Sequence, residues 1–258
     1  MKKVTSSDNV TIAYEELGNG PALVIIGGSL ADHHMYHPLA MELTKHFRVY
    51  NYDRRNRGMS GTSPNHSVET ELNDLETLMS IDHEQKVLYG HSAGAALAIR
   101  AAAKGMNIDQ LILADLPFSL LDDNSRAATA QHDHEYHEIE RLINKGDKKG
   151  AVRYFLKDFG MTEEELDGFI ASEAGQAAVE ISPTLLVDYH LLGNGITPAA
   201  LLQQIKVPTL LLTFEYGLPA AQDAAKHLAN SRIHLLEAPA HITPPRDIAK
   251  SIRDFLKR

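Results

Sequence analysis

The sequence contains no cysteine, which excludes disulfide bonds and thiolate metal sites and leaves thiols silent about the redox compartment. It also lacks any apolar run approaching the ~18 residues that a membrane-crossing helix needs. The N-terminal stretch Met1-Lys2-Lys3-Val4 carries basic residues with no apolar segment behind them, so no secretory signal is expected and the cytoplasm is the expected location. Positive charge is not in excess. The formal net charge of −9 argues against nucleic acid as a partner. No internal repeat and no low-complexity linker is visible. What is present, 258 residues of which 43% are hydrophobic and 23% charged, suits a globular chain able to bury a substantial core.

Periodicity divides the chain into alternating elements. Val10-Thr11-Ile12-Ala13-Tyr14 alternates like a half-exposed strand, and Gly18-Asn19-Gly20-Pro21 reads as a turn, so the opening is expected to be a hairpin. The continuous apolar run Ala22 to Ile26 suits a strand covered on both faces. It breaks at Gly27-Gly28-Ser29-Leu30, where glycines directly after a buried strand signal close backbone approach. Leu39, Leu43 and Phe47 mark a helix, and Phe47 to Tyr52 a further strand running into the charged loop Asp53-Arg54-Arg55-Asn56-Arg57-Gly58-Met59-Ser60. Leu72, Leu75, Leu78 and Met79 recur at helical spacing. Lys86 to Gly90 and Leu111 to Asp115 read as buried strands. Strand alternating with helix argues for a parallel sheet with helices on both faces.

From about residue 118 to 205 no convincing strand is found. Ile139, Leu142 and Ile143, and then Val152, Phe155, Leu156 and Phe159, are spaced as helical faces. Thr162 with Glu165 suggests a capping box, and Thr197-Pro198 the start of another helix. This block reads as a helical cap, residues 118–205, inserted into a single α/β domain spanning residues 1–258. The alternation resumes with strands at Val207 to Thr213 and Arg232 to Leu236, a helix near Ala220 to Ala229, and a last helix carrying Ile248, Ile252 and Phe255.

The chemically pointed stretch is Gly90-His91-Ser92-Ala93-Gly94, set between a strand and an alanine-rich helix. A sharp strand-to-helix turn exposes a serine Oγ, and the helix N-terminus beside it favours developing negative charge. Taken with Gly27-Gly28-Ser29 after the earlier strand and His241 after the last one, this stretch resembles the α/β-hydrolase superfamily along nearly the whole chain. The loop from Asp53 to Ser60 is similar to a stretch written Y-D-R-R-G-R-G-x-S in one subgroup. The resemblance implies an α/β-hydrolase fold, a mostly parallel sheet flanked by helices with an inserted helical cap. It also implies Ser92 as nucleophile, His241 as general base, and the Ser29 and Ala93 N–H groups as oxyanion donors.

Two departures accompany it. The usual His-Gly of the oxyanion loop is replaced at its first position by Gly27. The acid that most relatives carry after the late strand is also missing, since Phe214-Glu215-Tyr216-Gly217 has no acid at the expected position. Asp115, ending the strand after the elbow helix, is the first choice for the acid, and Glu215 the alternative.

The remaining candidates have competing readings. Gly28, Leu30, His91 and Phe118 are expected near substrate, although core packing explains Phe118 as well. His33, His34 and His37 are read as a partly exposed helix start rather than pocket residues. The run from His132 to Glu138 is read as a solvated face rather than a metal site. Asp53, Arg54, Arg55 and Arg57 are read as loop-fixing ion pairs rather than an anion clamp. The reaction implied is hydrolysis of a small ester, thioester or lactone through an acyl-enzyme, with no metal and no cofactor. Carbon–carbon or amide cleavage, acyl transfer, and a non-catalytic small-ligand receptor remain as alternatives. Oligomeric state is not readable.

Overall fold

Residues Ala22–Ile26 (β3) lie at the centre of the architecture, and their side chains sort to two faces with the strand period of two. Leu23 and Ile25 enter one hydrophobic core, and Ala22, Val24 and Ile26 enter the other. Both faces are covered, as the unbroken apolar run requires. A computed structural model of the protein describes residues 1–81, 86–240 and 242–257, Asp158 by its backbone alone.

Among the described residues the sheet has eight strands. They are β1 (Lys2–Thr5), β2 (Thr11–Leu17), β3, β4 (Arg48–Tyr52), β5 (Lys86–His91), β6 (Gln110–Ala114), β7 (Thr209–Thr213) and β8 (Ser231–Leu235), in the order β1-β2-β4-β3-β5-β6-β7-β8. β1 and β2 are antiparallel, β2 is antiparallel to β4, and every pairing from β4 to β8 is parallel. The opening is a hairpin, but not the expected one. β2 pairs with the unpredicted strand β1 and with β4, and not with β3. Lys2, Lys3, Val4 and Thr5 form an exposed edge with almost no apolar signal, so periodicity could not find them.

Helices α1 (His33–Leu43) and α11 (Pro245–Leu256) pack on one face through Tyr36, Leu39, Leu43, Ile248 and Ile252. Helices α2 (Val68–Met79), α3 (Ala93–Ala103) and α10 (Leu218–Ala225) cover the other. The alanines of α3 let it lie close to the sheet, where Ala95, Ala98 and Ala101 are fully buried.

Between β6 and β7 the chain forms α4 (Ser125–Asn144), α5 (Lys148–Leu156), α6 (Glu163–Ala171), α7 (Glu173–Ile181), α8 (Leu185–Leu192) and α9 (Ala199–Leu202). The expected capping box is present, with Thr162 Oγ1 accepting the Glu165 N–H and Glu165 Oε2 accepting the Thr162 N–H. Pro198 stands one residue before the short helix α9 rather than at its first position. This insertion has its own small cores, Val152–Leu166–Ile170–Val179 and Ile139–Leu185–Tyr189. Leu30, from the loop after β3, packs against both.

Candidate active site

Because β3, β5, β6 and β7 are parallel neighbours, the loops that leave their C-terminal ends share one rim of the sheet. Ser92 leaves β5 on this rim with φ 54° and ψ −123°. A left-handed conformation of this kind costs a non-glycine residue on the order of 1–3 kcal/mol and is held by its surroundings. Here the Ser92 N–H donates to Ala114 O at 3.0 Å, and Ser92 O accepts the Ala95 and Ala96 N–H groups of α3. Gly94 is required by contact: a Cβ there would collide with Ile26 O and Gly27 O. Ser92 is half-buried, and Ala93, the first residue of α3, has an N–H with no partner inside the helix.

The loop Gly27-Gly28-Ser29 lies against this turn. A Cβ on Gly28 would stand 3.1 Å from His91 O and 3.2 Å from Ser92 Cβ. The Gly28 N–H donates to Tyr36 Oη at 2.9 Å, and Gly28 O accepts from Arg57 Nη1 at 2.7 Å. Ser29 is half-buried beside them. The candidate oxyanion donors thus come from two loops packed together at the Ser92 turn.

Asp115 directly follows β6 and is likewise left-handed, with φ 47°. Its N–H donates to Leu212 O at 3.0 Å. Its Oδ2 accepts the Ala240 N–H at 2.6 Å and stands 3.4 Å from His91 Nε2. The sequence-assigned base, His241, lies outside the described residues. Glu215, the alternative acid, is exposed on the turn after β7.

His91 is the last residue of β5. It is buried against Tyr36, with Tyr36 Oη 2.8 Å from Nδ1. Burial pushes the Tyr36 phenol up to about 12, against the opposing effect of the Gly28 N–H. The His91 ring thus lies between the Tyr36 hydroxyl, at Nδ1, and the Asp115 carboxylate, 3.4 Å from Nε2. His91, expected near substrate, is placed by the structure at the end of β5 with its ring buried. Phe118 belongs to the core on the α3 face. Leu30 takes φ 55° and bridges to the helical insertion.

In the loop after β4 the charged residues Asp53, Arg54, Arg55 and Arg57 are buried, while Gly58 and Met59 are exposed. Arg54 forms a two-pronged pair with Glu71, Nε to Oε2 and Nη2 to Oε1, both at 2.9 Å. Arg55 pairs with Asp74 at 2.6 and 2.7 Å and with Asp8. Arg57 Nη2 donates to Asp188 Oδ1 at 2.7 Å, and Arg54 Nη2 lies 2.9 Å from the same oxygen. Burial alone would raise Glu71, but Arg54, His66 and Arg57 outweigh it and hold its carboxyl well below the usual range. Burial likewise opposes the charge on Arg54, and Glu71 and Asp188 outweigh it, so the guanidinium is raised above its ordinary value. The reading of this loop as ion-paired structure agrees with these contacts. An anion clamp does not, because each arginine already meets a carboxylate.

Of the other histidines, His33 is buried with Nδ1 2.9 Å from both Asp53 oxygens, so it is not part of an exposed helix start. His34 is exposed, and His37 meets Glu15. In the run from His132 to Glu138, His134 and His137 are exposed. His132 departs from the solvated-face expectation: it is buried with its ring centroid 5.0 Å from that of Tyr189. Among the described residues, Asp32, His33 and His34 bring three ligand-type atoms within 4.8 Å of one another. Asp32 is already engaged as the N-cap of α1, accepting the His34 N–H, and His33 is engaged by Asp53.

Sequence reasoning missed Tyr36 and Asp188. Tyr36 has no sequence signal. Asp188 has a weak one, a single acid inside the otherwise apolar Leu185-Leu186-Val187-Asp188-Tyr189.

The chain is similar to known proteins over its whole length. A crystal structure of an alpha/beta hydrolase from Sphaerobacter thermophilus is 29% identical, covers 99% of this chain and 100% of that one, and superposes with a TM-score of 0.86. A Synechocystis protein provisionally named a non-heme chloroperoxidase is 27% identical over 259 residues, 92% of this chain and 90% of that protein. N-formylmaleamate deformylase of Pseudomonas putida is 32% identical over 108 residues, 40% of each chain. The family model described as the alpha/beta hydrolase family matches residues 23–250. That match begins in β3 and ends in α11, so it takes in the parallel strands, the Ser92 turn and the helical insertion, and the chain belongs to the alpha/beta hydrolase family.

Proposed function

We propose that the protein is a serine hydrolase that cleaves a small ester, thioester or lactone through an acyl-enzyme at Ser92. The observation that carries this reading is the left-handed Ser92 turn between β5 and α3, with the Asp115 carboxylate bonded to the residue that precedes His241. In this reading His241 takes the Ser92 proton as Oγ attacks the acyl carbon, and returns it to the leaving oxygen or sulfur. Asp115 holds the histidine's tautomer and stabilises its charged form. The Ser29 and Ala93 N–H groups bind the tetrahedral oxyanion, each worth about 3–4 kcal/mol. Water activated by His241 then releases the acid. Helices α4 to α9 act as a cap over the site and set acyl size.

Amide cleavage by the same groups is a second reading, favoured by the relative named as a deformylase. Both readings predict that a fluorophosphonate labels wild-type protein at Ser92 and leaves Ser92→Ala unlabelled. A panel of activated esters and N-acyl amides of varied chain length then separates them. Folded protein that resists labelling and hydrolyses neither class sinks the enzyme reading and leaves the small-ligand receptor.

A further inference from the structure

The Gly28–Ser29 peptide carries one of the two proposed oxyanion donors, and its orientation decides whether a donor or an acceptor meets the oxyanion. A trans peptide points its C=O and its N–H to opposite sides. Gly28 O is held by Arg57 Nη1 at 2.7 Å, so the Ser29 N–H is turned away from Arg57. The preceding peptide is held independently, because the Gly28 N–H donates to Tyr36 Oη. A Cβ at Gly28 would touch the Ser92 turn, so the residue between these two peptides is already seated on it. Gly28 has no side chain to resist rotation of the plane, and the hydrogen bond from Arg57 supplies the restraint.

Arg57 reaches this carbonyl with one nitrogen only. Its other terminal nitrogen meets Asp188 Oδ1, 131 residues away on helix α8 of the insertion. All three groups are shielded: Arg57 is 1% exposed, Asp188 2%, and Gly28 is buried. A charge-assisted pair in such a setting is stronger and more directional than on the surface. Arg54 touches the same Asp188 oxygen and lies 3.4 Å from Gly27 O, so both carbonyls of the glycine pair face the arginine cluster.

We propose that Arg57 is a positioning residue that sets the Gly28–Ser29 peptide with its N–H toward the oxyanion, and that Asp188 couples this setting to the helical insertion. This rests on the serine-hydrolase reading. If the peptide turned over, Gly28 O would face the oxyanion, replacing a donor with a repelling dipole. The effect falls on the transition state and spares ground-state binding.

Arg57→Lys tests the first half. It keeps the buried charge but has one nitrogen where arginine spans two partners, so it cannot hold Gly28 O and Asp188 in the same geometry. The expected result, on whichever activated ester wild type turns over, is a kcat lower by about 10–100-fold with KM within about threefold. Affinity for an alkyl boronic acid, whose tetrahedral adduct on Ser92 places an oxygen at the donors, falls in parallel. A kcat within about twofold of wild type, or a lowered kcat with unchanged boronate affinity, overturns it. Asp188→Asn tests the coupling. It lowers kcat alone, and the double variant is no slower than Arg57→Lys; independent, multiplying losses overturn the coupling. If Arg57→Lys does not fold, Asp188→Asn carries the test by the same kcat and boronate readouts. A wild type that the fluorophosphonate does not label and that turns over no ester overturns the underlying reading and this proposal with it. A reactive wild type with an indifferent Arg57→Lys overturns this proposal alone.

Discussion

Asp115 Oδ2 accepts the backbone N–H of Ala240 at 2.6 Å, joining the end of β6 to the loop after β8 across 125 residues of sequence. The bond places a carboxylate one residue from the sequence-assigned His241. Glu215 is exposed on the turn after β7 and has no comparable tie. Asp115→Asn is therefore expected to lower kcat by about 10³–10⁴-fold with the fold retained. Glu215→Gln is expected to leave most of the activity. Steady-state kinetics on both variants check this, and a larger loss in Glu215→Gln would move the acid to the late turn.

Gly28 is under a contact constraint. Its added Cβ would meet His91 O at 3.1 Å and Ser92 Cβ at 3.2 Å, tighter than ordinary van der Waals contact. Gly28→Ala should push the loop off the Ser92 turn. We expect kcat to fall by up to about 10²-fold while the unfolding midpoint barely moves. A kinetically silent Gly28→Ala would show that the loop has room to spare.

Gly94→Ala should act on stability instead. Its Cβ would strike Ile26 O, in β3, and Gly27 O just after it, and backbone atoms there cannot yield as a side chain can. The expected cost is about 1–3 kcal/mol or more, measured by urea denaturation.

Glu71 sets an acid limit on stability. Its folded carboxyl is held well below the usual range, so as pH falls the unfolded chain takes up the proton first. The stability it contributes is complete above the unfolded value of about 4.3 and is lost as pH falls below that toward the folded value. Asp74, which burial raises, works in the opposite sense. Glu71→Gln leaves Arg54 short of a buried partner and should cost about 3–5 kcal/mol at neutral pH. It should also flatten the acid limb of a denaturation-midpoint profile, and an unchanged limb would assign that limb to other carboxylates.

Tyr36→Phe removes the acceptor of the Gly28 N–H and the hydrogen-bond partner of His91 Nδ1 in one step. Leaving a buried donor unpaired costs about 1–3 kcal/mol. The expected outcome is a lower denaturation midpoint with a parallel fall in kcat, checked on one purified preparation.

The sequence alone determined the strand–helix alternation, the covered strand β3 and the Ser92 turn, because these depend on local periodicity and on glycines at fixed offsets from one serine. It also narrowed the acid to two places, Asp115 and Glu215, because the stretch Phe214-Glu215-Tyr216-Gly217 carries none at the expected position. It could not find β1, an exposed edge whose only order comes from pairing with β2. Nor could it place His91, Tyr36 or Asp188, since a side chain's partner across tens of residues leaves no local pattern. Only the tertiary structure decided that the charged side chains of the Asp53–Ser60 loop form a buried ion-pair cluster, and that one of its arginines touches both the Gly28 carbonyl and a carboxylate from helix α8. Charges leave water only when the whole fold surrounds them with partners, and that condition is written nowhere in the order of neighbouring residues.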